Sequence, residues 1–193
     1  MNTLLLTSSQ TAGPFFAPAL LREDARRNVL TRPETAGERI RIEGRVLDGD
    51  GEPVPDALVE IWQANAHGRY NHAADQGPAP LDPSFFGFGR SGTAEDGSYW
   101  FETVKPGPVP FDGKRQQAPH ICVTVFARGL LNHVVTRLYF EDEPTNVEDP
   151  VLQRVPDDRR ETLLARREPG GAMVVYRFDI VLQGADETAF FNL

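Results

Sequence analysis

The stretch of residues 119–126 alternates in the manner of a β-strand and constrains the rest of the chain. Its aliphatic residues fall on one face, whereas His120 and Cys122 fall together on the other. Two side chains of the type that bind metal ions, held at positions i and i+2 of a strand, are suited to form half of a metal site. A buried histidine beside a free cysteine can equally fill a hydrophobic core. The strand alone leaves both interpretations open.

Several other segments show the same alternation and are separated by turn-forming residues, which indicates an all-β chain. The 16 prolines and 17 glycines are spread along the sequence rather than clustered. We therefore expect an antiparallel β-sandwich with an N-terminal arm, long loops and one short helix. Strands are predicted at residues 39–46, 57–64, 98–104, 119–126, 133–140 and 173–182, a long irregular segment at 65–95, and the helix at 159–167.

Composition limits the classes of function that the chain can have. We interpret residues 1–36 as an N-terminal arm and residues 37–193 as one domain. The formal net charge of -8 disfavours binding to nucleic acid or anionic membranes. The N-terminal segment lacks a signal pattern and no apolar run has the length of a membrane span, so we expect a cytoplasmic protein. A single cysteine excludes an internal disulfide and multi-cysteine metal sites.

Motifs of common hydrolases and nucleotide enzymes are absent from the sequence. There is no Gly-Xaa-Ser-Xaa-Gly elbow, His-Glu-Xaa-Xaa-His pair or phosphate-binding loop. Tyr70 stands out because it lies in the long loop, where a packing role is not evident. A phenol and the imidazole of His120 facing one cleft would suit a ferric ion, which prefers oxygen and nitrogen ligands. Two such ligands are too few to hold it.

Five segments, in this order and spacing, resemble the intradiol ring-cleaving dioxygenases over nearly the whole chain. In that family two tyrosines and two histidines bind a ferric ion, which activates a catechol ring for attack by molecular oxygen. The fold that the resemblance implies is the family's β-sandwich. The segments are Glu60-Ile61-Trp62-Gln63-Ala64-Asn65, Gly68-Arg69-Tyr70, Ala79-Pro80-Leu81-Asp82-Pro83, Thr103-Val104-Lys105-Pro106-Gly107 and Pro119-His120-Ile121.

The sequence departs from the family pattern at half of the iron ligands. Tyr70 and His120 match the first tyrosine and the first histidine, but Val109 and Cys122 stand where the second tyrosine and the second histidine belong. The resemblance therefore implies that these four are vestigial ligand positions and that the chain itself binds no metal.

Two further positions near the expected metal also differ from the iron-bearing chains of the family. Gln117 replaces an arginine and Arg137 replaces a glutamine. The pattern is similar to that of the non-iron-binding alpha chains of two-chain family members. The resemblance then implies a partner, an iron-bearing beta chain of the same fold that binds Fe(III), in a higher-order alpha/beta oligomer that acts on protocatechuate and O2.

The resemblance also implies that the arm, residues 1–36, contributes to the subunit interface and pocket, and it indicates which residues border the substrate there. Glycine and proline give a rigid wall against a flat ring, and an arginine offers charge to a carboxylated aromatic substrate. The matching positions are Thr11, Gly13, Pro14, Phe15 and Arg128.

Two alternatives remain at this stage. One is a homomeric intradiol dioxygenase for catechol or hydroxyquinol in which Cys122 replaces a histidine; Val109 weighs against it, because valine cannot bind a metal. The other is a non-enzymatic β-sandwich binding module in which Tyr70, His120 and Cys122 are packing residues.

Overall fold

The computed structural model describes residues 11, 13, 16–22, 27–168 and 171–192. Strands dominate these residues, as the sequence predicts. The strands are β1 (Arg39–Leu47), β2 (Leu58–Trp62), β3 (Phe88–Gly92), β4 (Ser98–Val104), β5 (Val109–Pro110), β6 (Gln116–Gln117), β7 (His120–Phe126), β8 (Val134–Phe140), β9 (Leu164–Glu168), β10 (Val174–Arg177) and β11 (Ile180–Val181). The helices are α1 (Phe16–Leu20) and three 3-10 helices at Pro144–Glu148, Leu152–Arg154 and Asp157–Leu163.

Nine of these strands join in one sheet. The order along it is β11, β1, β10, β9, β8, β7, β2 and β3, with β4 also paired to β1, while β5 and β6 form a separate pair. Most neighbours are antiparallel, but β1 pairs in parallel with β10 and β11, and β8 pairs in parallel with β9. The mixed pairing differs from the antiparallel arrangement that the sequence predicts. The connection from β8 to β9 contains all three 3-10 helices, and it brings the chain back to run in the same direction as β8.

Alternation along β1 explains how the strands bury their apolar residues. Ile40, Ile42 and Val46 are fully or almost fully buried, whereas the charged residues between them are partly or largely exposed. Gly44 takes the inward position between them, because a Cβ atom there would lie 1.8 Å from the carbonyl oxygen of Phe178. The strand therefore passes close against the segment between β10 and β11.

β7 lies in the middle of one half of the sheet, between β2 and β8. Its observed bounds differ by one residue from the predicted strand, and its inward side chains belong to the main hydrophobic core. The opposite face of β7 presents His120 and Cys122 towards the end of β2 and the middle of β8. This face positions the candidate site.

Three predicted elements are placed differently in the structure. β3 lies inside the segment predicted to be irregular, and its five residues complete the sheet beyond β2. The predicted helix at 159–167 is instead a 3-10 helix that ends at Leu163, after which the chain enters β9 and pairs with β8 at Tyr139. The predicted last strand is divided into β10 and β11, and between them the backbone N–H of Arg45 donates to the side chain of Asp179 rather than to a backbone carbonyl.

The part of the predicted arm nearest the domain is attached to the sheet. Arg27 bridges to Arg90 in β3, and Val29 bridges to Glu102 in β4. In the described part of the chain, no helix is long and apolar enough to cross a lipid bilayer.

Candidate functional site

A row of three side chains crosses the outer face of the sheet. Trp62 of β2 pairs directly with Cys122 of β7, which pairs directly with Arg137 of β8, so all three lie on the same face. Tyr70 comes from the loop after β2 and stacks on Trp62 with ring centroids 5.8 Å apart and an interplanar angle of 22°. The loop thus delivers its phenol to the row.

His120 is buried at the start of β7 and is prepared to act as a neutral ligand. Its Nδ1 lies 2.8 Å from the carbonyl oxygen of Ala118, and a carbonyl can only accept, so Nδ1 donates and the lone pair is on Nε2. Burial, followed by the positive charge of Arg137, lowers the pKa of His120 to about 4. The imidazole is therefore uncharged at neutral pH.

Val109 is connected to the same region through the short β5–β6 pair. It is buried and pairs with Gln117. The Gln117 Oε1 accepts a hydrogen bond of 2.7 Å from Nη1 of Arg137. The resemblance marks Tyr70, Val109, His120 and Cys122 as vestigial ligand positions, and we call these four the vestigial group. The structure places three of them near the guanidinium of Arg137 and connects Val109 to it through Gln117.

A buried acid anchors the far side of this group. Nη1 of Arg137 also donates to the hydroxyl oxygen of Tyr139 at 3.4 Å, and that hydroxyl donates to Oδ1 of Asp149 at 3.0 Å. Asp149 is completely buried and accepts three backbone N–H groups, including that of Ala118 at 2.8 Å. Asp149 therefore fixes the network that holds Arg137.

Two potential anionic ligands remain protonated in this environment. Burial raises the pKa of the Cys122 thiol, although the charge of Arg137 acts in the opposite direction. Burial, then the neighbouring Cys122, raises the pKa of Tyr70 above its ordinary value. Neither side chain offers a negative charge at neutral pH.

These ligands do not fit a ferric ion. Val109 has no donor atom, the sulfur of Cys122 is softer than the oxygen and nitrogen ligands that a ferric ion prefers, and the guanidinium of Arg137 would repel a trivalent cation. Tyr70 and His120 supply the remaining hard donors. Among the residues that the structure describes, no three His, Cys, Asp or Glu side chains are grouped closely enough to share a metal ion.

The residues expected to border a substrate pocket lie elsewhere. The backbone N–H of Gly129 donates to Oγ1 of Thr11 at 3.0 Å, which brings the N-terminal segment beside Arg128. Arg128 is exposed, and its Nε lies 2.8 Å from Oδ2 of Asp56. Gly13 is also exposed, whereas the predicted Pro14 and Phe15 lie outside the described residues.

The structure therefore separates the candidate residues into two groups. His120 begins β7, and Arg128 follows its end, so an extended strand places them about 26 Å apart. The vestigial group and the Thr11–Arg128 group cannot line one small-molecule pocket within this chain.

Sequence reasoning does not identify three residues that surround the vestigial group, which are Trp62, Tyr139 and Asp149. Trp62 enters the sequence analysis only within a family segment, and Tyr139 only within a predicted strand. Asp149 is one of 28 acidic residues and follows no local pattern that marks it as buried. Its role depends on contacts with Ala118 and Tyr139, which only the folded chain brings near it.

Comparisons with known proteins find relatives of this chain among the dioxygenases. A family model described as a dioxygenase matches residues 11–184. The chain is 43% identical to the protocatechuate 3,4-dioxygenase alpha chain of Burkholderia cepacia over the whole of both chains, and 44% identical to the beta chain from the same organism over 87% of this chain and 74% of that one. It also resembles the solved dioxygenase domain of a carbohydrate-binding fusion protein from Streptomyces sp. SirexAA-E, with a TM-score of 0.63 and 28% identity over 83% of this chain and 89% of that one.

Proposed function

The chain belongs to the intradiol ring-cleaving dioxygenase family, and we propose that it is the non-iron-binding alpha subunit of a protocatechuate 3,4-dioxygenase. Its partner is a beta chain of the same fold, which binds Fe(III). The two chains together cleave protocatechuate with O2 to 3-carboxy-cis,cis-muconate, a reaction of aromatic catabolism in the beta-ketoadipate pathway. Relatives named as alpha and beta chains of one enzyme support this pairing.

The observation that carries the proposal is the altered set of ligands around Arg137. Identity alone does not distinguish the two kinds of chain, since the values for the alpha and beta relatives from Burkholderia cepacia are 43% and 44%. The side chains at Val109 and Cys122 distinguish them, because a chain that retains only a phenol and an imidazole cannot hold a ferric ion. The iron and the oxygen chemistry therefore belong to the partner.

The remaining contribution of this chain is the wall of the substrate pocket at the interface. We assign it to Thr11, Gly13, Pro14, Phe15 and Arg128. The hydrogen bond between Thr11 and Gly129 supports the assignment, because it gathers arm and arginine on one exposed surface. Arg128 offers a guanidinium to the carboxylate of protocatechuate.

A homomeric enzyme acting on catechol or hydroxyquinol is disfavoured by the same altered ligands. Such an enzyme needs a complete iron site in each chain, and Val109 cannot supply a ligand. A binding module unrelated to ring cleavage is disfavoured by the family match over residues 11–184.

Co-expression with the beta chain tests the proposal. We expect an adjacent reading frame to encode the partner, with tyrosine at the position of Val109 and His-Xaa-His at the position of His120 to Cys122. We expect the chain alone to be colourless, poor in iron and inactive. With its partner it should co-purify as a red iron–tyrosinate protein that consumes O2 with protocatechuate.

Metal analysis of the separately purified chains provides the decisive comparison. Stoichiometric iron in the chain expressed alone would contradict the proposal. Full activity of the beta chain without this chain would contradict the assigned role in the pocket.

A further inference from the structure

A cavity of about 800 Å³ opens beside Arg137 on the outer face of the sheet. Its volume falls in the range of small-molecule sites, which is roughly 300–1,000 Å³. Strands β2, β7 and β8, the second 3-10 helix and the C-terminal segment enclose it. The lining residues that the argument uses are Trp62, Arg137, Arg154, Phe190 and Phe191.

The cavity is positively charged in an acidic protein. Arg137 and Arg154 line it, and its described lining contains no aspartate or glutamate. The chain as a whole has 28 acidic and 20 basic residues. A concave site that concentrates two guanidinium groups against this background attracts anions.

Arg137 retains hydrogen-bonding capacity that the protein does not use. Its Nη1 donates to Gln117 and Tyr139, which fixes the orientation of the guanidinium plane. Among the described residues, no acceptor bonds to its Nε or Nη2 and no carboxylate lies within ion-pair distance. Two donors along one edge of a fixed guanidinium match the two oxygens of a carboxylate.

The other walls of the cavity are apolar and largely aromatic. Trp62 is held by its stacking on Tyr70. The C-terminal segment is tied to β8, since the N–H of Phe191 donates to the carbonyl of Val135 at 2.8 Å and Oγ1 of Thr136 donates to the carbonyl of Ala189 at 2.7 Å. These bonds keep Phe190 and Phe191 in place as a wall, and such a wall favours a flat hydrocarbon body over a highly hydrated anion such as phosphate.

We propose that this cavity is a ligand site for a small aromatic carboxylate, with the carboxylate on Arg137 and the ring between Trp62 and the C-terminal segment. The bound molecule is not cleaved here, because the surrounding side chains cannot hold a metal. The proposal concerns this chain by itself and stands whether or not the proposed function is correct.

Fluorescence titration with 4-hydroxybenzoate tests the site. The Trp100→Phe background leaves Trp62 as the one reporter, since the chain has two tryptophans. We expect saturable quenching at one probe per chain, and affinity at least tenfold weaker in Arg137→Gln, because a charged pair of hydrogen bonds is lost. The uncharged 4-hydroxybenzamide should not bind. Arg166→Gln, which removes an exposed arginine in β9, should leave the affinity unchanged.

Circular dichroism first checks that Arg137→Gln is folded. If it is not, Arg154→Gln replaces it, because that arginine is exposed, and should weaken binding about threefold. Absence of saturable binding would overturn the proposal. So would equal binding of acid and amide, or an affinity that the arginine substitution leaves unchanged.

A segment of a partner chain is the other possible occupant, and equilibrium dialysis on the assembled complex distinguishes it. The complex with the natural chain should bind one more probe per pair of chains than a complex that contains Arg137→Gln. Equal counts would assign the cavity to the partner and overturn the proposal.

Discussion

At the scale of single residues, Arg128 is the side chain whose proposed role is most directly measurable. Replacing it by alanine removes one charged hydrogen bond, worth about 1.5–3 kcal/mol, so kcat/KM for protocatechuate should fall roughly ten- to a hundredfold in the assembled enzyme. Arg128 also pairs with Asp56. Asp56→Asn is the matched control, because it removes the carboxylate that pairs with Arg128 but leaves the arginine in place. Asparagine tolerates the φ of 58° at this position. An unchanged kcat/KM in Arg128→Ala would exclude contact with substrate.

His120 predicts a specific dependence of stability on pH. Its pKa is about 4 in the folded protein and 6.5 ordinarily, so the unfolded chain takes up a proton first as the pH falls. The contribution of the neutral, buried His120 to the free energy of unfolding is complete above pH 6.5. It is lost as the pH falls towards 4, by up to about 3 kcal/mol. In denaturant unfolding, the free energy of unfolding should fall less steeply with decreasing pH in His120→Gln than in the natural protein. His133→Gln, at an exposed histidine, should keep the natural slope; a natural slope in His120→Gln would contradict this account.

The residues that sequence alone could identify are those whose place follows from the alternation of side chains along a β-strand or from the family pattern. His120 and Cys122 share a face because they are two residues apart in a strand, and the structure confirms it. The hydrogen bond from Arg137 to Gln117 was not predictable, because it joins β8 to the separate β5–β6 pair. Side chains that meet only through tertiary packing leave no periodic signal.

At the scale of elements, the contact between the N-terminal segment and the end of β7 invites a test. Thr11→Val keeps the shape but removes the acceptor of the Gly129 N–H. A typical hydrogen bond contributes about 0.5–1.5 kcal/mol, so kcat/KM of the complex should fall about two- to tenfold as the arm loosens. Thr11→Ser should restore the natural value. Equal kinetics for all three proteins would show that the arm's position does not affect the pocket.

The elements that sequence reasoning placed correctly have strong alternation, and the misplaced ones do not. β1 and β7 have regular inward aliphatic residues. β3 contains two glycines and a serine among five residues, so its pairing with β2 rather than its own composition makes it a strand. Residues 157–163 have the charged composition of a helix, but they form a 3-10 helix that leads directly into β9.

At the scale of the whole molecule, the two groups of candidate residues lie near opposite ends of β7. Under the proposed function, one end of β7 contributes to the pocket wall, the other end carries too few ligands for a ferric ion, and a related chain holds the iron. The count of iron atoms per pair of chains tests this proposal.

Restoring the missing ligands should change that count. We expect one iron per pair in the natural complex, and two when this chain contains Val109→Tyr, Cys122→His and Arg137→Gln together. The variant with only the first two substitutions should bind at least tenfold less additional iron, because the guanidinium beside the ligand positions repels a trivalent cation. Adding Arg166→Gln to that double variant controls for net charge and should not improve binding. If the folded triple variant gains no iron, a cause other than the ligands and Arg137 keeps this chain free of metal.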